Sequence, residues 1–274
     1  MRSWLLRCTL ALVVSFGCAT PLLAGPRFDN AEYAARRANL MAKIQDGVAV
    51  IWGAQSSVSY YRYTQNNDFM YLTGAEIPNA VLIIDGVART STLVFTSTEA
   101  AARNDGIAAE LVKNPKGFTG IENVAPIETL DTLLAGIANR SKVVYTPFQP
   151  EELYREVSTQ KLRTLQRNMT QNPWDGRMTR ELQFVKLFKE RFPRAELRDC
   201  SSMIWELRTI KSPAEIALMR RAGRIGAMAH TEMIKATRPG QWEYELSAVV
   251  NYGYEKEGAQ ESAYGVMIAS GENH

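Results

Sequence analysis

Histidine is nearly missing from this chain, with two among 274 residues, His230 and His274. No His-Glu-x-x-His, Cys-x-x-Cys or Gly-x-Ser-x-Gly occurs, so none of the short motifs for a helical zinc site, a dithiol or a strained nucleophile is present. The three cysteines, Cys8, Cys18 and Cys200, are too few for a disulfide framework. Positive charge is not concentrated: the net charge is +3 and there is no lysine- or arginine-rich cluster, which removes the case for nucleic acid. Internal repeats and low-complexity tracts are also absent. What remains is an ordinary globular composition, 46% hydrophobic and 22% charged, enough for one large or two medium domains.

The amino terminus reads as a secretory signal. Arg2 and Arg7 form a positive start, Leu10 to Phe16 an apolar core, and Ala24 a small residue before a cut at Ala24/Gly25. That apolar stretch falls below the ~20 residues that span a bilayer, so cleavage and export, to a periplasm or the exterior, is the expectation. Cys18 after Gly17 leaves a lipid-modified cysteine as a minor alternative. Cleavage leaves Cys200 as the only cysteine, and it reads as a buried small hydrophobe.

Further on, periodicity predicts a helix over 30–44, with Ala31, Ala34, Ala35, Ala38 and Met41 as its apolar stripe and Arg36, Arg37 and Lys43 outside. Val48–Trp52 reads as a short buried strand. The run from Tyr60 to Gly74 reads as a polar loop closing on a Phe/Tyr/Leu strand and a glycine turn. Val81–Ile84 and Thr92–Thr96 read as strands reversing across Asp85-Gly86. Pro126–Ala135 reads as a helix with Ile127, Leu130, Leu133 and Leu134 on one side, and Lys142–Tyr145 as another strand. From Gln149 to Asp175 the chain is polar and irregular, and helix returns over 178–192. Strands alternating with helices indicate an α/β layer architecture. Asn139 and Asn168 stand in glycosylation sequons, which matter only in a eukaryotic secretory pathway.

The strongest helix start lies at Ser212-Pro-Ala-Glu215. Serine caps, proline sits where its missing donor costs nothing, and glutamate completes a capping box. This helix is expected to run to about Thr237, with Ala222, Gly223, Gly226 and Ala229 allowing close approach of another backbone. Gly223 and Gly226 lie inside it and form no dinucleotide fingerprint. His230 reads as a packed or partly exposed helical residue. A second helix is expected over 242–257, and the apolar run Tyr264–Ala269 reads as a strand. Glu243, Glu245, Glu255, Glu257 and Glu261 read as solvated faces, and no carboxylates and imidazoles stand at metal-site spacing.

Two sets of residues carry a resemblance. Asn66, Asp68, Phe69, Tyr71, Leu72, Thr73 and Gly74 fall on the pattern Asn-x-Asp-Phe-x-Tyr-Leu-Thr-Gly. Later come Lys211-Ser-Pro-Ala-Glu-Ile216, Arg220-Arg-Ala-Gly223, Arg238-Pro-Gly240 and Ser270-Gly-Glu-Asn273, in that order. Together they resemble the Xaa-Pro aminopeptidases (aminopeptidase P) of the pita-bread metallopeptidase superfamily. The resemblance implies an α/β amino-terminal domain over 25–206 after a leader over 1–24, and the start of a pita-bread catalytic domain over 207–274. It also implies removal of the residue before proline from peptides, two divalent metals (usually manganese) held by two Asp, one His and two Glu, and a homo-oligomer.

Those ligands lie beyond the Gly-Glu-Asn motif in the family pattern, and His274 occupies a spacer position. No catalytic or metal residue is therefore assigned. The expectation is an incomplete copy of a longer enzyme, inactive alone, with the Tyr264–Ala269 strand lacking its neighbours. Asn66, Asp68, Phe69, Tyr71 and Gly74 are expected to be architectural. Thr64 stands where the family commonly has arginine, and Ser97–Asp105 lacks the family's tryptophan. A prolidase-like dipeptidase and a non-catalytic assembly or peptide-binding module are the alternatives.

Overall fold

The computed structural model describes residues 27–56, 63–96, 98–104, 106–150, 178–260, 262–263 and 265–273, with scattered positions between 161 and 174. The leader, most of the 149–175 stretch and His274 lie outside the described residues. A six-stranded sheet organises the first two thirds, in the order β4-β3-β2-β1-β5-β6. Its strands are β1 (Gly47–Trp52), β2 (Val81–Asp85), β3 (Thr90–Phe95), β4 (Asn123–Pro126), β5 (Val143–Thr146) and β6 (Glu196–Asp199). β1, β2 and β3 form an antiparallel meander, while β4, β5 and β6 join by parallel pairings. β2 alone therefore runs against the rest.

Alternation along the strands splits the core into two faces. Ala49, Ile51, Leu82, Ile84, Leu93 and Phe95 pack on one side, under α1 (Asn30–Lys43), α2 (Asn67–Thr73) and the short helices α3 (Glu99–Asn104), α4 (Ala109–Lys113) and α5 (Pro115–Thr119). Val48, Val50, Val81, Ile83, Val94 and Val144 pack on the other, under α6 (Leu130–Arg140) and α7 (Arg180–Arg191). With both faces covered, the central strands bury nearly every side chain, which is why they read as apolar runs rather than polar alternations. Asp85 Oδ1 accepts from the amides of Val87 and Ala88 and closes the β2–β3 reversal. The helices that follow the sheet are α8 (Ser201–Thr209), α9 (Pro213–Ala236) and α10 (Glu243–Lys256), the last two packed on each other.

Four expectations are corrected. In α1 the buried residues are Tyr33, Arg36, Arg37, Leu40 and Met41, while Ala31, Ala34, Ala35 and Ala38 face out. Exposing an alanine costs little, and the two guanidinium groups find carbonyl partners inside. Residues 67–73 are a helix rather than a strand, because Asn66 caps its start and Gly74 its end. Pro126 closes β4, and the helix beyond it begins at Leu130 after a 3-10 turn. Residues 265–270 form no strand, since a strand needs a hydrogen-bonded neighbour and the described residues offer none. The three helix-start features at 212–215 hold together: Ser212 caps, Pro213 leads and Glu215 closes the box.

Candidate functional site

Helix α2 is two turns long, too short to be stable by itself. Asn66 accepts from the Asp68 amide at 3.1 Å and donates to the Trp52 carbonyl at 3.1 Å, tying the helix start to the end of β1. Gln65 beside it is fully used: Oε1 accepts from the amides of Ala54 and Asn66, and Nε2 donates to the carbonyls of Ala75 and Ile77. Phe69 is wholly buried in the core. Gly74 ends the helix at φ +63°, and a Cβ there would lie 2.2 Å from the Tyr33 ring, so both conformation and space require glycine.

The carbonyls left open at the end of α2 are taken by three arginines. Arg36 donates to Tyr71 O at 3.1 Å, Arg37 to Leu72 O at 3.0 Å and Arg27 to Gly74 O at 3.1 Å. Positive charge at a helix carboxyl end is favourable, and these donors satisfy groups the helix cannot. Arg37 also donates to Gly120 O at 2.9 Å. Burial lowers its pKa from the ordinary arginine value, opposed by the nearby Glu122 charge. The Arg36 guanidinium lies 4.3 Å from the Tyr71 ring centroid, and burial pushes the Tyr71 phenol up.

From its other side α2 reaches forward along the chain. Arg208 donates to Asp68 at 2.6 Å, and the Tyr71 hydroxyl donates to Leu207 O at 3.0 Å. One turn on, Ser212 Oγ donates to Glu32 at 2.6 Å, and Glu215 faces Arg36 at 3.1 Å. The signature residues thus converge on a seam that joins the sheet layer to the start of α9. A cation facing Asp68 in this seam is Arg208. Sequence reading missed Gln65, Arg27, Arg36, Arg37 and Arg208. The only local signal for them was an arginine pair in an otherwise amphipathic helix.

The seam can orient backbone segments, and its carboxylates are engaged with arginines: Glu32 and Glu215 with Arg36, and Asp68 with Arg208. Cys200, directly before α8, is fully buried, and desolvation holds its thiol well above the ordinary range. His230 is exposed, with Nδ1 2.8 Å from Gly226 O. Ala229 and Gly253 bring α9 and α10 into close contact, whereas Gly223 and Gly226 face open space. A cavity of about 740 Å³ opens between the two helices, lined by Met228, Glu232, Val249 and Tyr252 among others. Among the described residues no three of His, Cys, Asp and Glu are placed to hold a metal ion.

Comparison with known proteins gives a consistent result. Residues 33–145 match the aminopeptidase P N-terminal domain, and residues 217–274 match metallopeptidase family M24. The chain is 30% identical to the Xaa-Pro aminopeptidase of Escherichia coli over 255 residues, covering 88% of this chain and 53% of that one. Intermediate cleaving peptidase 55 of Schizosaccharomyces pombe is 24% identical, covering 90% and 49%. The solved low-pH form of Escherichia coli aminopeptidase P aligns with a TM-score of 0.66 at 25% identity, covering 86% of this chain and 51% of that one. A zinc-substituted form of that enzyme, in complex with product, aligns at 0.63 with 28% identity, covering the same shares. The chain spans about half the length of the curated relatives it matches. These matches support the family read from the Asn-x-Asp-Phe signature.

Proposed function

We propose that this chain, an aminopeptidase P N-terminal domain followed by the opening of a family M24 metallopeptidase domain, is the amino-terminal portion of a Xaa-Pro aminopeptidase. The observation that carries the reading is the seam itself. The signature helix α2 is bonded to the end of α8, and its arginine-bearing neighbour α1 to the start of α9, just before the M24 match begins. In this reading α2 and α1 hold the catalytic domain at a fixed angle to the sheet layer, and the peptide chemistry takes place in the part of the protein that follows.

The metallopeptidase family implies divalent metal ions, and we assign two, with manganese as the first choice. When bound, such a pair makes hydroxide available at neutral pH and stabilises the oxyanion of the scissile carbonyl. The described residues do not fit that role, so no catalytic step is assigned to them and the chain alone is proposed to be inactive. Removal of the residue before proline, a homo-oligomeric assembly and export through cleavage at Ala24/Gly25 complete the proposal. The signal-like charge and hydropathy of residues 1–24 supports the last.

The test is expression, with its leader, of the longer frame that contains this chain, beside the chain itself. The exported protein is expected to begin at Gly25. With added manganese it releases the first residue from a peptide with proline second, and the chain alone releases none. Cleavage of Xaa-Pro dipeptides only would move the assignment to a prolidase-like enzyme. No peptidase activity from the metal-supplied long form would overturn the reading in favour of a non-catalytic module.

A further inference from the structure

Four side chains close a ring at the start of α9. Ser212 Oγ accepts from the Glu215 amide at 3.1 Å and donates to Glu32 Oε1 at 2.6 Å. Glu215 Oε2 accepts from the Ser212 amide at 2.8 Å, while its Oε1 lies 3.1 Å from Arg36. Arg36 completes the circuit through its contact with Glu32 one turn before it on α1. An ordinary capping box uses only residues of its own helix. Here both of its side chains are also held by α1, some 180 positions earlier in the chain.

Little else fastens α9 to the sheet layer. Only Ala229 is buried among its 24 residues, and its main packing partner is α10. The segment before it is open: Ile210 is 82% exposed, and Lys211 is exposed with its Nζ turned back onto the carbonyls of Arg208 and Thr209. We propose that the ring is a docking-dependent helix cap. The first turn of α9 and its seating on α1 form as one event, and residues 210–212 are the hinge that is freed when the ring opens. This makes Glu32 and Arg36 positioning residues for everything carried by α9. The inference stands on the geometry of the ring and does not depend on the peptidase reading.

Hydrogen exchange on the full chain tests it at the Glu215 and Ile216 amides, with the sheet amides of Val50 and Val144 as the control for folding. Glu32→Ala is expected to speed exchange at both α9 amides about fivefold, the size of a lost cap, and tryptic cleavage after Lys211 rises with it. Ser212→Ala is expected to do the same, and the double variant to exceed the larger single effect by less than about twofold, since both act on one network. Should Glu32→Ala fail to fold, Glu32→Gln keeps an acceptor for Ser212 but removes the charge facing Arg36, and a smaller rise of the same sign is expected. If the Glu32 variants leave the two amides unchanged while Ser212→Ala accelerates them, the cap is purely local and the proposal is overturned. Single effects that multiply in the double variant overturn it too.

Discussion

The sheet layer and the α9–α10 pair are built by different rules. In the sheet layer nearly every residue of β1 and β2 is buried, and the helices on both faces are anchored by core contacts. In α9 and α10 one residue each, Ala229 and Val250, is buried, while Met219, Met228, Ile234, Tyr244 and Tyr252 are exposed. Yet α9 has the clearest helix signals in the sequence. Capping and spacing report that a helix forms; they say nothing of what covers it, because burial is settled by partners elsewhere in the chain.

The difference can be broken most sharply by cutting into the sheet core. Phe95→Ala, at a side chain with no exposure, is expected to cost about 3–5 kcal/mol in urea denaturation followed by circular dichroism. Met219→Ala, on the open face of α9, should move the same midpoint by less than about 0.5 kcal/mol. Equal losses would show that α9 is buried after all. A smaller effect is expected from Arg37→Met, which strips donors from the carbonyls of Leu72 and Gly120 and should cost about 1–3 kcal/mol. No change there would mean that water replaces the guanidinium and that the buried arginine face of α1 is not needed.

A pH-dependent effect concerns Cys200 and sharpens the comparison at its boundary. Desolvation raises its folded pKa, so above about pH 8.5 the unfolded thiol sheds its proton while the folded one keeps it. The unfolded state then binds fewer protons, and its contribution, fully present below that pH, declines as pH rises. A denaturation series from pH 7 to 10 should therefore fall more steeply for the native chain than for Cys200→Ala. Parallel curves would mean that the thiol is solvated in the folded protein.

The reach of the sequence follows the range of the interactions. β1, β2 and β3 were legible because neighbours in sequence are neighbours in the sheet, and the Asp85-Gly86 reversal joins two of them. The Ser212 capping box was legible for the same reason, since all its donors lie within four residues. Arg36 and Arg37 were placed on the wrong side of α1 because their partners, Tyr71 O, Leu72 O and Gly120 O, are distant in the chain. Their charge argued for solvent, and nothing nearby argued otherwise. Residues 67–73 read as a strand from their aromatic content, while the facts that make them a helix are a cap at Asn66 and three borrowed arginines. β6 was missed for a related reason: Glu196 and Arg198 suit an exposed edge, where charge discourages further pairing, and such a strand carries no apolar run.

The placement of β5 has a consequence in time. Within the β1–β2–β3 meander β2 and β3 join through a short turn and β1 reaches β2 across residues 53–80, so it can assemble as soon as residues up to Phe95 are available. β5 must then return to β1, with Gly47 facing Val143, and β6 must dock on β5, with Val143 facing Glu196. Each of those closures spans a far longer stretch and is slower for it. During synthesis the meander therefore waits with the edge of β1 uncovered until Thr146 has emerged, and through that interval this edge is open to pairing with a second copy of the chain.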